Sequence, residues 1–212
     1  MSSYNRSLYL RYADALRHPG HFSTAISEFF AKDANINVVH PFNEIQSADA
    51  FFLNFMAPLQ QAFEGLYRRD HIFMTGQFEG KDWISSTGYY VGRFTKDWIG
   101  IKATDTLCYL RYGEFHQVKN GKVVESYIYL DIPELMIACN EWPLKMGPGK
   151  SRGYTGLIQG PATRDGVIAR ASDPNEGQRS YEIVTNMLNK LATKDEAWRP
   201  YWHENMMWYG PG

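Results

Sequence analysis

Cysteine is scarce: the 212 residues contain only Cys108 and Cys139. Two thiols without metal-ligand spacing cannot frame a disulfide scaffold or a zinc site, and they point to a reducing, cytoplasmic setting. An excess of one charge is also lacking. Lys and Arg number 22 against 23 Asp and Glu, which leaves no basic footprint for nucleic acid or anionic lipid, so neither nucleic-acid nor membrane partners are expected. No apolar run approaches the ~18 residues of a membrane span. The first residues, MSSYNRSLYLRYADALRH, carry Arg6, Arg11 and Asp14 where a secretory leader needs unbroken apolar sequence. There is no phosphate-binding glycine loop and no nucleophile-elbow pattern, and His40, His71 and His116 are scattered, so no metal is expected. What is present is apolar: hydrophobic residues at 44% against 21% charged can bury a core. Aromatics at 15% suit a wide core or an aromatic-lined cavity for an apolar small molecule.

The length fits one domain plus an appendage. Tyr4, Leu8, Tyr12, Ala15 and Leu16 share a stripe, which predicts a helix over residues 4–17 that stops at Pro19-Gly20. A second short helix is expected over 23–31 and a strand over 34–40. A turn at His40-Pro41-Phe42-Asn43 follows, then a helix from Ala48 to about Phe63 with Ser47 as its N-cap and a kink or break near Pro58. From Asp70 the period changes to two, with strands over about 70–78, 82–95, 106–118 and 122–131. Gly80 marks one turn and Asn120-Gly121 a tight hairpin. Helices followed by strands predict an α+β fold: a curved, mainly antiparallel sheet with the N-terminal helices over one face.

Residues 1–146 form this domain. Residues 147–176, with six glycines and three prolines, read as an ordered linker held down on the first domain. Residues 177–212 read as a helix and a short strand, Met206 to Tyr209. Their order echoes the front of the chain, so they resemble the start of a second copy that is cut short, or an arm.

A two-residue turn at Asn120-Gly121 pairs Val118 with Val123, His116 with Glu125, Glu114 with Tyr127, Tyr112 with Tyr129 and Leu110 with Asp131. These side chains share one face, because strand side chains alternate. A glycine bulge would shift the register by one. The opposite face carries Arg111, Phe115, Val124, Ile128 and Leu130, apolar enough to predict a homodimer through it. The polar face is either wet or the lining of a cavity under the helices, where a carboxylate among tyrosines could act as acid or base.

The segment 98–136, WIGIKATDTLCYLRYGEFHQVKNGKVVESYIYLDIPELM, resembles the SnoaL-like polyketide cyclases of the nuclear-transport-factor-2-like superfamily. Ile99-Gly100-Ile101-Lys102-Ala103-Thr104 stands for the family's connecting loop, with Lys102 replacing the usual proline and Asp105 the usual glycine. Gly121-Lys122-Val123-Val124-Glu125 and the strand closing in Asp131 follow, with Tyr127 where an aromatic is usual. Gly88-Tyr89-Tyr90-Val91-Gly92 resembles the preceding strand, and the likeness spans about residues 22–140. It implies a cone-shaped sheet with helices over its concave face. It also implies cofactor-free chemistry on an apolar, carbonyl-containing small molecule, as a cyclase or isomerase, with Asp131 as general acid/base. Tyr127, Tyr129, Glu114, His116, Phe55, Met56 and His40 are the candidate substrate-binding residues.

Simpler roles compete with these. Asp131 precedes Pro133 and can cap the next helix. His116 can pair with Glu125, His40 can serve a turn, and Phe55 and Met56 can be core. A non-catalytic binding or dimerisation module of the same fold is the alternative function. A dehydratase or epoxide hydrolase would need a His–Asp pair or several carboxylates converging on one water.

Overall fold

The stripe of helix α1 (Ser2–Ala15) is set by Leu8, Tyr9, Tyr12 and Ala13, all buried, with Leu16 just beyond its end, whereas Tyr4 is exposed. A 3-10 turn at Pro19–His21 leads into α2 (Phe22–Phe29), which buries Phe22, Ala25, Ile26 and Phe29. These two helices are what the computed structural model lays over a six-stranded sheet; it describes residues 2–144, 160, 167, 174–191, 193 and 196–205. The sheet holds β1 (Phe30–Val38), β2 (Asn43–Gln46), β3 (Phe63–Phe78), β4 (Lys81–Phe94), β5 (Leu107–Lys119) and β6 (Lys122–Leu130), in the order β2-β1-β6-β5-β4-β3. Every neighbouring pair is antiparallel except β1 and β6, which run parallel. The α+β expectation holds.

The predicted helix from Ala48 is in three pieces. Ser47 caps α3 (Ala48–Phe51) by accepting the Ala50 N–H at 3.1 Å. A π-helical turn at Phe52–Met56 follows without a break, and α4 (Ala57–Ala62) continues it, so Pro58 lacks its N–H inside a helical run, just after the local π turn. Strand β2 lies within residues expected as turn and loop. Strand β3 begins at Phe63, seven residues before the expected start, with a register shift between Glu64 and Tyr67 at Gly65, whose φ is +67°.

The hairpin turn is as expected: Asn120 and Gly121 have φ of 51° and 76°. The register beyond it is not. A bulge at Val124 gives Val118↔Val123 but Gln117↔Glu125, His116↔Ser126 and Glu114↔Ile128. Ser126, Ile128 and Leu130 therefore join Tyr112, Glu114 and His116 on the helix-covered face, and Tyr127 and Tyr129 turn outward. Burial explains the shift. It places Ile128 and Leu130 at 3% and 7% exposure, each worth roughly 1.5–3 kcal/mol when buried.

Helix α5 (Ile132–Ala138) follows β6 and packs on β5. Contacts divide the chain into two units, Met1–Ile168 and Ala169–Gly212. In the second, α6 (Pro174–Leu191) carries Tyr181, Val184, Leu188 and Leu191, and Trp202 Nε1 donates to Met187 Sδ at 2.8 Å. The strand expected at Met206 to Tyr209 lies outside the described residues, as does most of 147–176. Among the described residues no helix is long and apolar enough to cross a membrane.

Candidate active site

Alternation along β3 turns Leu66, Arg68 and Asp70 toward the helices. An arginine buried there must carry its counter-charges with it. Arg68, 1% exposed, pairs through Nη1 with Glu114 Oε1 and through Nε with Asp70 Oδ1 at 3.0 Å. Its Nη2 donates to the Tyr9 hydroxyl at 2.6 Å and to Ser86 Oγ at 3.0 Å, and Nη1 donates to the Tyr90 hydroxyl at 3.3 Å. The guanidinium also stacks over the Tyr112 ring, 4.0 Å from its centroid. Helix α1 and strands β3, β4 and β5 thus meet on one cation.

The electrostatics follow from that cage. Burial pushes the Asp70 carboxyl up, but Arg68 and the hydroxyls of Tyr9 and Tyr112 more than offset it, leaving Asp70 below the ordinary carboxylate value. Glu114 is likewise lowered on balance, with burial opposed by Arg68 and His116. Tyr9 and Tyr112 are pushed well up, first by burial, and stay neutral phenols. Both can then donate to a carboxylate, as they do: Tyr9 at 2.5 Å and Tyr112 at 2.7 Å, each to Asp70 Oδ1.

Glu114 also accepts from His116 Nε2 at 3.1 Å, and His116 Nδ1 lies 2.7 Å from Ser126 Oγ. A carboxylate can only accept, so Nε2 donates to Glu114, and Nδ1 shares the second hydrogen bond with the Ser126 hydroxyl. The order serine, histidine, carboxylate looks like a nucleophilic triad. Yet all three are at most 1% exposed, and none lines either cavity found at the surface. A nucleophile needs room for the carbonyl it attacks, so this relay is read as internal bracing.

Asp70 is different. It forms part of the wall of a cavity of about 370 Å³ between α1 and β3, together with Tyr9, Leu10, Arg11, Phe73 and Val167, a size within the range of small-molecule sites. Its Oδ1 accepts three hydrogen bonds, whereas Oδ2 is buried and has none among the described residues. Asp70 is itself only 2% exposed and its Oδ2 has no accessible surface. The arrangement is therefore a charged carboxylate with one oxygen saturated and the other unpartnered among the described residues, just behind the wall of a hollow that Arg11, Asp14 and Arg17 also line.

The expected site residues scatter. Glu114 and His116 come together as described. Phe55 and Met56 are fully buried in the core. Tyr129 is 55% exposed on the outer face, and Tyr127 beside it donates to Glu125 at 2.7 Å. His40 lines a second cavity, at the far end of β1. Asp131 caps α5 by accepting the Glu134 N–H at 3.0 Å, and accepts from Arg111 Nη2 at 2.8 Å. Glu134 beside it is raised to about 7, first by burial and then by Asp131. Tyr9, Arg68 and Asp70 were not among the expected residues. The signal for the last two was their spacing: Arg68-x-Asp70 sets opposite charges on one face of a strand.

Among the described residues, no cluster of three His, Cys, Asp or Glu is placed to hold a metal ion. No protein-family model matches the chain, and no curated protein matches it. Solved structures do. A proposed hydroxylase, AclR from Streptomyces galilaeus, superposes with a TM-score of 0.58 at 19% identity, over 70% of this chain and 91% of its own. A proposed SnoaL-like polyketide cyclase from Jannaschia sp. CCS1 gives 0.55 at 16%, over 68% and 95%. A proposed polyketide cyclase from Acidithiobacillus ferrooxidans gives 0.53 at 11%, over 66% and 97%. At such identities the likeness establishes the fold: a SnoaL-like, nuclear-transport-factor-2-like α+β cone.

Proposed function

We propose that the protein is a cofactor-independent acid/base enzyme of the polyketide-cyclase or isomerase kind. In this reading Asp70 is the proton-transfer group, acting on an apolar small molecule with neighbouring carbonyls. The observation that carries it is the unpartnered Oδ2 of Asp70, a carboxylate that Arg68 keeps ionised in a residue lining a cavity. The oxygen itself is buried, so the reaction requires the wall between α1 and β3 to open to the substrate. A carboxylate below its ordinary pKa is a weak base, which suits a carbon made acidic by two flanking carbonyls. Oδ2 takes the proton from that carbon, and the electron pair spreads onto the carbonyl oxygens as an enolate. In a cyclase the enolate carbon attacks a second carbonyl of the same molecule. A carbon–carbon bond forms, the carbonyl pair moves to oxygen, and Asp70 returns its proton there. In an isomerase the proton returns to a different carbon. Tyr9 and Tyr112 hold the carboxylate in place throughout.

The test follows deuterium exchange at the central carbon of a 1,3-diketone by NMR, with thermal unfolding of each variant recorded alongside. Asp70→Asn is expected to slow exchange by about 10²-fold or more, and Asp131→Asn to change it little. Wild-type exchange in folded Asp70→Asn would overturn the assignment. Loss in Asp131→Asn instead would return the acid/base role to the strand-terminal aspartate that the family resemblance implies. A diketone that binds but never exchanges would favour the non-catalytic binding module.

The same reading includes a homodimer through the outer sheet face. Phe115 and Tyr129 are 47% and 55% exposed there, with ring centroids 6.4 Å apart. Light scattering at micromolar concentration is expected to give twice the chain mass; a monomer would contradict it.

A further inference from the structure

A second cavity, of about 300 Å³, shares no lining residue with the first. Its walls come from the turn after β1 at His40 and Pro41, from Ile99 and Ile101 between β4 and β5, and from Ile132 and Met136 on α5, with Glu141 at one side.

Two independent features mark it as a site. The first is backbone strain. Trp98 and Ile101 exchange both of their backbone hydrogen bonds, at 3.1 and 2.8 Å. Ile99 and Gly100 are left as a two-residue loop with φ of 45° and 84°. Such a loop favours asparagine followed by glycine, and a β-branched residue at its first position is strained. The strain sets an isoleucine side chain, half-buried against the core, into the cavity wall, and outliers retained at a concave surface point to function. The second is charge. Among the described residues the Glu141 carboxylate has no hydrogen bond or ion pair. The ammonium that influences it, Lys102, instead donates to Asp97 Oδ2 at 2.6 Å. The isoleucine and methionine wall, with His40 beside it, thus has at its side one exposed carboxylate without a partner among the described residues.

We infer that this cavity is a second binding site, for a small amine. The ring or branched chain of the amine would lie on the isoleucine and methionine wall, with its ammonium against Glu141. The site is independent of the chemistry proposed at Asp70.

The probe is phenethylamine, titrated into the full chain with labelled isoleucine and methionine methyl groups. Saturable shifts are expected at Ile99, Ile101, Ile132 and Met136. 3-Phenylpropionate, with a similar body and the opposite charge, should bind more weakly. Glu141→Gln should weaken phenethylamine by about fivefold. Ile99→Asn should raise the unfolding temperature by relieving the turn, and weaken binding by removing the wall. The inference is overturned by any of three results: no saturable shift at those methyls, equal affinity for the two probes, or unchanged affinity in Ile99→Asn. None of these depends on whether Asp70 exchanges a proton.

Discussion

Replacing Arg68 by methionine is expected to cost about 3–5 kcal/mol, because it leaves buried carboxylates without their cation. Against a total stability of about 5–15 kcal/mol, that is enough to leave the protein marginal or unfolded at neutral pH. Methionine keeps much of the side chain's length and apolar stem, so the loss comes from charge rather than from a cavity. Asp70 and Glu114 would both remain buried, and the hydroxyls of Tyr9, Tyr90 and Ser86 would lose a donor. The effect has a pH signature. In the native chain both carboxyls titrate below their ordinary values. Their contribution is therefore fully present above the unfolded values near ~4, and is lost as pH falls through the lower folded ones. Without Arg68, burial is opposed only by the Tyr9 and Tyr112 hydroxyls at Asp70 and by His116 at Glu114, so both carboxyls rise and the variant's deficit should shrink as pH falls toward ~5. Urea unfolding of both proteins at pH 7 and pH 5 reads this directly. A deficit of the same size at both values would mean that the cluster is held by packing and not by charge.

How much of this was legible in the sequence depends on which force set each element. The helices, the β4–β5–β6 meander and the Asn120-Gly121 turn were readable because local spacing and turn chemistry decide them. The start of β3 was not. Residues Phe63 to Arg69 look like the end of an amphipathic helix followed by charge, and only pairing with β4 from Phe94 back to Tyr89 makes them a strand. The outer tyrosines of β6 were misplaced for a related reason. A single bulge at Val124 inverts every residue after it, and nothing local announces the bulge. Glu114 and His116 lie before the bulge on their own strand, so their inward direction was readable, while their partners Arg68 and Ser126 were not. Asp131 illustrates a third case. Its two readings, helix cap and acid/base, both fit the sequence before Pro133, and the structure shows the cap directly.

Gly88→Ala is expected to destabilise by at least ~3 kcal/mol, above the usual cost of an extra methyl group in a core. A Cβ on Gly88 would sit 2.1 Å from the Arg69 carbonyl oxygen and 2.6 Å from the Tyr112 hydroxyl. The first contact is backbone, which can yield only by opening the β3–β4 ladder beside the register shift between Asp70 and Ile72. The second is the hydroxyl that donates to Asp70 Oδ1. The glycine is thus required by the closeness of its neighbours, since its φ is not in the left-handed region. Gly113→Ala is the control. That glycine pairs with Thr87, next to Gly88 on β4, and a Cβ added to it would meet nothing within 4 Å. Its replacement should be neutral or stabilising by up to ~1 kcal/mol, through reduced freedom of the unfolded chain. Denaturant unfolding of the two variants compares a close approach with an open one on adjacent strands. Similar small effects at both positions would show that β3 can move away from β4 at low cost. In that case the Arg68–Asp70 pair, which β3 carries, would not be held rigidly enough to keep Oδ2 unpartnered.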